Sequence, residues 1–228
     1  MSIPGLDAWL ASPAGRHVLD WEQRQIDAIA SDIFGFNALQ LGLPRTDFLR
    51  ANRIPLHRTV GDIGPVDVVC DFSALPFAAA STDLAILPHV LEFAEQPHQI
   101  LREIERIMIP EGQLLIIGFN PLSPWGLRKC LPHDELFPWN GHFLTLNRLK
   151  DWLKLLGFEI DRGTLGCDAP SGWWLPVVGR CWSFSRGIYI LRAIKRTPGM
   201  RLITPNWRRS GIRAKALRPV TQKEGHGH

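Results

Sequence analysis

Apolar positions in this chain form short unbroken runs separated by stretches with helical spacing. Val66 to Cys70, Leu84 to Leu87 and Leu114 to Phe119 show no polar alternation, although a strand with one wet face would alternate. Unbroken runs of that length, separated by crossovers, predict parallel strands covered on both faces. Asn37 to Leu41 predicts an earlier strand, and Ile54 to Val60 another, with Pro55 restricting it to a strand start or an edge. Phe158 to Arg162 and Gly187 to Lys195 predict the last two, giving seven, the final one antiparallel. Ligands of such sheets collect at the carboxyl ends of the strands. Asp71, His89 and Asn120 fall just past strand ends and are expected to ring one crevice.

Three helices punctuate the pattern. Ser12-Pro13 supplies an N-cap and a first helical residue, and Val18, Ile26, Ile29 and Ile33 keep helical spacing up to Phe34, where Gly35 can stop the turn. A second helix is expected from Pro97, with Ile100, Ile104, Ile107 and Met108 on one face and Gly112 ending it. Thr145 starts a third, burying Leu146, Leu149, Leu153 and Leu156 before Gly157. These apolar residues read as core. Residues 121–143 and 163–186 interrupt the pattern as two inserts, the first rich in Pro, Trp and His, the second holding Trp173, Trp174 and Trp182 among Gly and Pro. The first is expected to cover a substrate entrance; the second suits stacking on a flat substrate, contact with lipid, or closing the sheet's edge.

With 228 residues, 45% of them hydrophobic, the chain is long enough for one sizeable core. No run is long and apolar enough for a membrane span, and the start lacks the pattern of a signal peptide, so a cytoplasmic domain is expected. Cys70, Cys130, Cys167 and Cys181 form no C-x-x-C pair and are expected to be reduced thiols. His133 and His142 have no metal-ligand spacing, and no metal is expected. Charge is uneven: from Arg192 to His228 there are ten Lys or Arg against Glu224, a surplus of +9, whereas the rest carries −5. Residues 198–228, with Trp207, Arg208, Arg209, Arg213, Lys215 and Arg218, therefore form a basic and aperiodic tail, suited to RNA or an anionic surface, or merely solubilising.

One further pattern carries chemistry. Asp71-Phe72-Ser73-Ala74-Leu75-Pro76-Phe77, Ser81-Thr82-Asp83-Leu84, His89-Val90-Leu91-Glu92, Leu101-Arg102-Glu103-Ile104 and Pro110-Glu111-Gly112-Gln113-Leu114-Leu115 follow one another in an order that resembles a class I S-adenosylmethionine-dependent methyltransferase of the type 11 group. Phe143 to Ile160 resembles the late helix and sixth strand of that family, and the likeness spans Asn37 to Arg196. It implies an α/β, Rossmann-like, mostly parallel seven-strand sheet with an antiparallel last strand: a covering helix in residues 1–36, a methyltransferase domain in 37–197, then the tail.

The resemblance also implies a cofactor, S-adenosyl-L-methionine, and residues to hold it. Asp71 would accept from the adenine amino group, the Phe72 N–H would face the ring, and Phe72 and Leu75 would wall the base. Leu87-Pro88-His89 would close the cleft near the transferred methyl. His89 is either the weak candidate for a base, since its ordinary pKa suits proton removal near neutrality, or a structural wall. The glycine-rich loop departs from the family. Gln40 stands for the usual acid and Gly42 is kept, but Pro44 and Thr46 replace the next two glycines, although Gln40 can still hydrogen-bond an amino group and Arg45 can meet a carboxylate or stay exposed. From Gly42 to Asp71 the chain is too short for two full crossovers, so a helix is expected to be missing and Asp62 is either a ribose ligand or a turn residue. The expected function is methyl transfer to an unidentified acceptor, a small molecule before a nucleic acid; the alternative is a non-catalytic binding or regulatory domain that has lost the cofactor.

Overall fold

A computed structural model of the chain describes residues 6–123, 141–166 and 187–196. Two helices open it, α1 (Leu6–Ala11) and α2 (Pro13–Ala30). Ser12 caps α2, its hydroxyl accepting from the Gly15 N–H at 3.1 Å. The helix stops at Ala30, so Phe34 and Phe36 lie on the loop beyond it, 71% and 76% exposed. The strands are β1 (Asn37–Leu41), β2 (Leu56–Gly61), β3 (Val68–Val69), β4 (Thr82–Pro88), β5 (Met108–Phe119), β6 (Phe158–Gly166) and β7 (Ile188–Lys195), with α3 (Pro97–Ile107) before β5 and α4 (Leu146–Leu155) before β6. They form one seven-stranded sheet in the order β3-β2-β1-β4-β5-β7-β6, parallel except for β7, which runs against both neighbours.

The expected two-sided cover is real for the middle of the sheet. On one face Val18, Ile26 and Ile33 pack over Ala38, Leu84, Ile86, Leu115 and Ile117. On the other, Ile100, Leu101 and Ile104 of α3 and Leu149 and Leu153 of α4 cover Leu41, Ala85, Leu87, Leu114 and Ile116. Each of the Val, Leu and Ile side chains contributes about 1.5–3 kcal/mol of burial. That burial is why β4 and β5 have no polar alternation.

Toward β3 the cover thins. The connections 42–55, 62–67 and 70–81 contain no helix. In the first, Leu43, Phe48, Leu49 and Ile54 fold onto the α2 face in a helix's place. The second is short because β3 meets only the end of β2, with Val68 opposite Val60 and Val69 opposite Gly61, so the chain has little distance to return. Leu56, His57 and Arg58, the amino half of β2, are exposed.

Gly112 does not stop α3, as the spacing predicts; it lies inside β5. Thr82 pairs with Met108 but Leu84 pairs with Gln113, so the residues between bulge out, with Glu111 at φ 65. A Cβ on Gly112 would sit 2.9 Å from the Ile109 carbonyl oxygen, so the bulge itself demands glycine.

Candidate cofactor and active site

The loop after β1 is built around one amide. Gln40 is buried, and its Nε2 donates to the carbonyls of Gly42, Leu43 and Thr46 at 3.1, 3.0 and 2.7 Å, while its Oε1 accepts from the Phe48 N–H at 2.9 Å. A carboxylate here would face three carbonyls with no proton to offer, which accounts for Gln in place of the family's acid. Gly42 takes φ 84, and a Cβ on it would lie 3.0 Å from Val90 Cγ2, so the retained glycine seats the loop against the end of β4. Pro44 reaches the turn after β2, its Cγ 3.6 Å from where a Cβ on Gly64 would stand. Arg45 is exposed.

At the other end of the same edge, Asp71 follows β3 with its carboxylate exposed. It accepts from the Ser73 N–H at 2.8 Å, and hydrogen bonding from the Ser73 backbone, then its side chain, holds its pKa below the ordinary value. The neighbouring Cys70 thiol, a free cysteine, is pushed up by burial and by the Asp71 charge. Phe72 and Leu75 are buried. The segment is pinned by α3: Glu103 accepts from the Leu75 N–H at 3.0 Å, and Arg106, paired with Glu103 at 2.8 Å, donates to the carbonyls of Phe77 and Leu75, both at 2.9 Å. Asp62, half-buried, follows directly on β2.

His89 closes β4 in a left-handed backbone conformation, φ 52, and its N–H donates to the Ile117 carbonyl at 3.0 Å. Its ring is buried between two carboxylates. Nε2 lies 2.8 Å from Glu22 on α2, and Nδ1 lies 3.1 Å from Glu92, which also accepts from the Phe119 N–H. Burial alone would depress the imidazole pKa, but Glu22 and then Glu92 overcome it and push it up to about 10. The ring is therefore an imidazolium donating from both nitrogens. It has no lone pair for a substrate proton, so in this arrangement the base candidate of the sequence acts as a bridge that ties α2 to the sheet.

Between Asp71 on β3 and His89 on β4 lie β2 and β1, about 14 Å at the usual strand spacing. The two residues mark opposite ends of one carboxyl edge rather than a ring. Asn120 joins His89's end through Phe119, whose ring centroid is 4.3 Å from the imidazole, and its Oδ1 accepts from the Leu122 N–H. Glu22 was not marked by spacing rules, yet it occupies the Val18, Ile26, Ala30 stripe of α2, where a carboxylate on a buried face signals a partner.

A family profile described as a methyltransferase domain matches residues 51–116, from the approach to β2 into β5. The match supports a class I methyltransferase domain of the type 11 group. It is 37% identical over 157 residues to the uncharacterized protein YafS of Escherichia coli K12, covering 68% of this chain and 65% of that protein. It is 29% identical over 92 residues to the malonyl-[acyl-carrier protein] O-methyltransferase of Methylovorus sp. MP688, covering 40% of this chain and 31% of that enzyme. The chain thus spans less than two thirds of either relative. Among solved structures, an S-adenosylmethionine-dependent methyltransferase of Archaeoglobus fulgidus superposes with TM-score 0.61 at 16% identity, over 83% of this chain and 97% of that one. A Haloferax volcanii protein solved with the Trm112 methyltransferase activator gives 0.60 at 19%, over 86% and 98%.

The family's cofactor is S-adenosylmethionine, and this methyltransferase domain fits its nucleoside half better than its methionine half. Asp71 and Phe72 stand past the end of β3 and Asp62 past that of β2, the Asp71 carboxylate exposed and the Phe72 ring buried. Beside β1, the Gln40 amide is already spent on its own loop. No group of His, Cys, Asp and Glu among the described residues could hold a metal ion, and no described helix is long and apolar enough to cross a membrane. The tail at 198–228 and most of both inserts lie outside the described residues.

Proposed function

We propose that this domain transfers a methyl group from S-adenosylmethionine to a small-molecule acceptor by direct displacement. Bound there, the cofactor would supply an electrophilic sulfonium methyl group, with S-adenosylhomocysteine as its leaving group. The chain's own part is to position. Asp71 accepts from the adenine amino group, Phe72 and Leu75 wall the base, Asp62 takes the ribose hydroxyls, and Leu87 and Gly42 border the methionine end. The supporting observation is that the Asp71 to Leu75 segment is pinned by the Glu103–Arg106 pair while its carboxylate stays open.

A second reading, a non-catalytic domain of the same fold, is favoured by the Gln40 amide, which closes the loop on itself. Titration calorimetry with S-adenosylmethionine and S-adenosylhomocysteine separates the two. Enzymatic use predicts a dissociation constant on the order of micromolar that Asp71→Ala weakens about tenfold or more. Absence of heat at millimolar ligand supports the second. The basic tail offers contact with RNA or another polyanion; removing residues after Pro198 should then abolish a salt-sensitive association.

A further inference from the structure

The β3 edge of the sheet carries an unusual share of exposed apolar side chains. Among the described residues Phe34, Phe36, Leu56, Ile63, Val69, Leu122 and Leu155 are the exposed large hydrophobics, and the first five lie along this edge and the loops at its two ends. Phe36 is not on a fraying end: its N–H and that of Asn37 both donate to the Asp83 carboxylate, at 3.0 and 2.9 Å, and a Cβ on Gly35 would lie 2.4 Å from Asp83 Cβ. The aromatic pair is held outward from a fixed loop. Such a strip marks an interaction surface.

Its charges are arranged along the strand. Arg53 and Arg58 are exposed toward the amino end of β2, and Asp67 and Asp71 toward the carboxyl end. Val69 is level with Gly61, five residues along from Leu56, or about 17 Å. The midpoint falls at Arg58–Thr59. Asp67 is level with Thr59, because its carboxylate accepts from the Thr59 N–H at 2.7 Å and its own N–H donates to the Thr59 carbonyl at 3.0 Å. A twofold axis through that level brings the Leu56 and Phe36 end of one copy onto the Val69 and Ile63 end of another. It also sets Arg53 and Arg58 of each copy against the acidic end of the other. A surface complementary to itself under a half-turn is what an isologous dimer requires.

We propose that this methyltransferase domain pairs with a second copy of itself through the β2–β3 edge, in antiparallel fashion about an axis near Arg58–Thr59. Side chains form the contact, since Asp67 already engages the outward backbone of Thr59. The aromatic pair anchors it, and the opposed charges set its register.

The test is the mass of the full chain in solution, by light scattering or sedimentation at about 10 μM. Wild type is expected at twice 25.7 kDa. Phe36→Asp should weaken association about tenfold or more, with an unchanged circular dichroism spectrum. Arg58→Glu and Asp67→Lys should each impair self-association, and mixing them should restore it, because each variant's altered end then meets its opposite. Matched melting curves exclude misfolding of the Asp67 variant. A monomeric wild type overturns the proposal, whether the strip is covered by residues 198–228 or awaits an unlike protein. So does a dimer indifferent to all three substitutions, or a mixture that fails to recover.

Discussion

The two halves of the sheet solve the same problem differently. In the β4, β5 and β7 half, unbroken apolar strands are buried between α2 on one face and α3 and α4 on the other. In the β1 to β3 half, hydrogen bonds substitute for helices: Gln40 gathers one loop, Asp67 ties β3 to β2, and Glu103 with Arg106 holds the approach to β4. The contrast teaches that a sheet of this kind can keep its strand order without helices in its early connections, provided a few polar groups take over. Stability should accordingly rest on packing in one half and on individual polar residues in the other.

The sharpest way to break that comparison is at the junction of the halves. His89→Ala leaves Glu22 and Glu92 buried without their shared cation, and should cost about 3–5 kcal/mol in urea unfolding. Gln40→Leu should come next. It strands three inward carbonyls and the Phe48 N–H, for a loss of about 2–3 kcal/mol and faster proteolysis within residues 42–48. Leu87→Ala, in the packed half, should cost a similar 2–5 kcal/mol without opening that loop, which distinguishes packing from stitching.

Titration of wild type sharpens the picture further. The His89 pKa is raised from 6.5 to about 10 in the folded protein, so its stabilisation is full below pH 6.5 and is lost as pH climbs toward 10. Wild-type stability should fall by up to about 1.4 kcal/mol per pH unit across that window, a slope absent from His89→Ala. The smallest effect belongs to Asp71→Ala. The carboxylate is exposed, so the urea unfolding midpoint should stay in place even as cofactor affinity drops.

Strands are legible in both halves, and β1 runs between the residues the pattern marks. Continuous apolar runs announced β4 and β5, and Ser12-Pro13 and Thr145 announced α2 and α4, because burial and capping leave direct marks on residue type. The missing crossover was visible as a shortage of residues between Gly42 and Asp71. What replaced it was not. A Gln serving four loop groups looks, in sequence, like a substituted acid waiting for a ligand, and only the fold brings Thr46 and Phe48 back to it. Likewise Glu22 and His89 are 67 positions apart. Their meeting depends on how α2 crosses the sheet, though a lone carboxylate on an apolar stripe was a signal that something had to answer it.

The backbone at His89 has one last implication. Left-handed geometry is hard on a branched or bulky residue and costs nothing to glycine, so position 89 sets conformational ease against charge compensation. Replacing the whole side chain with hydrogen, as in His89→Gly, would relax the main chain where it leaves β4, yet abandon two acids in the interior. A histidine kept in so awkward a posture makes the turn's shape subordinate to the ionic tie that holds the helix laid over it.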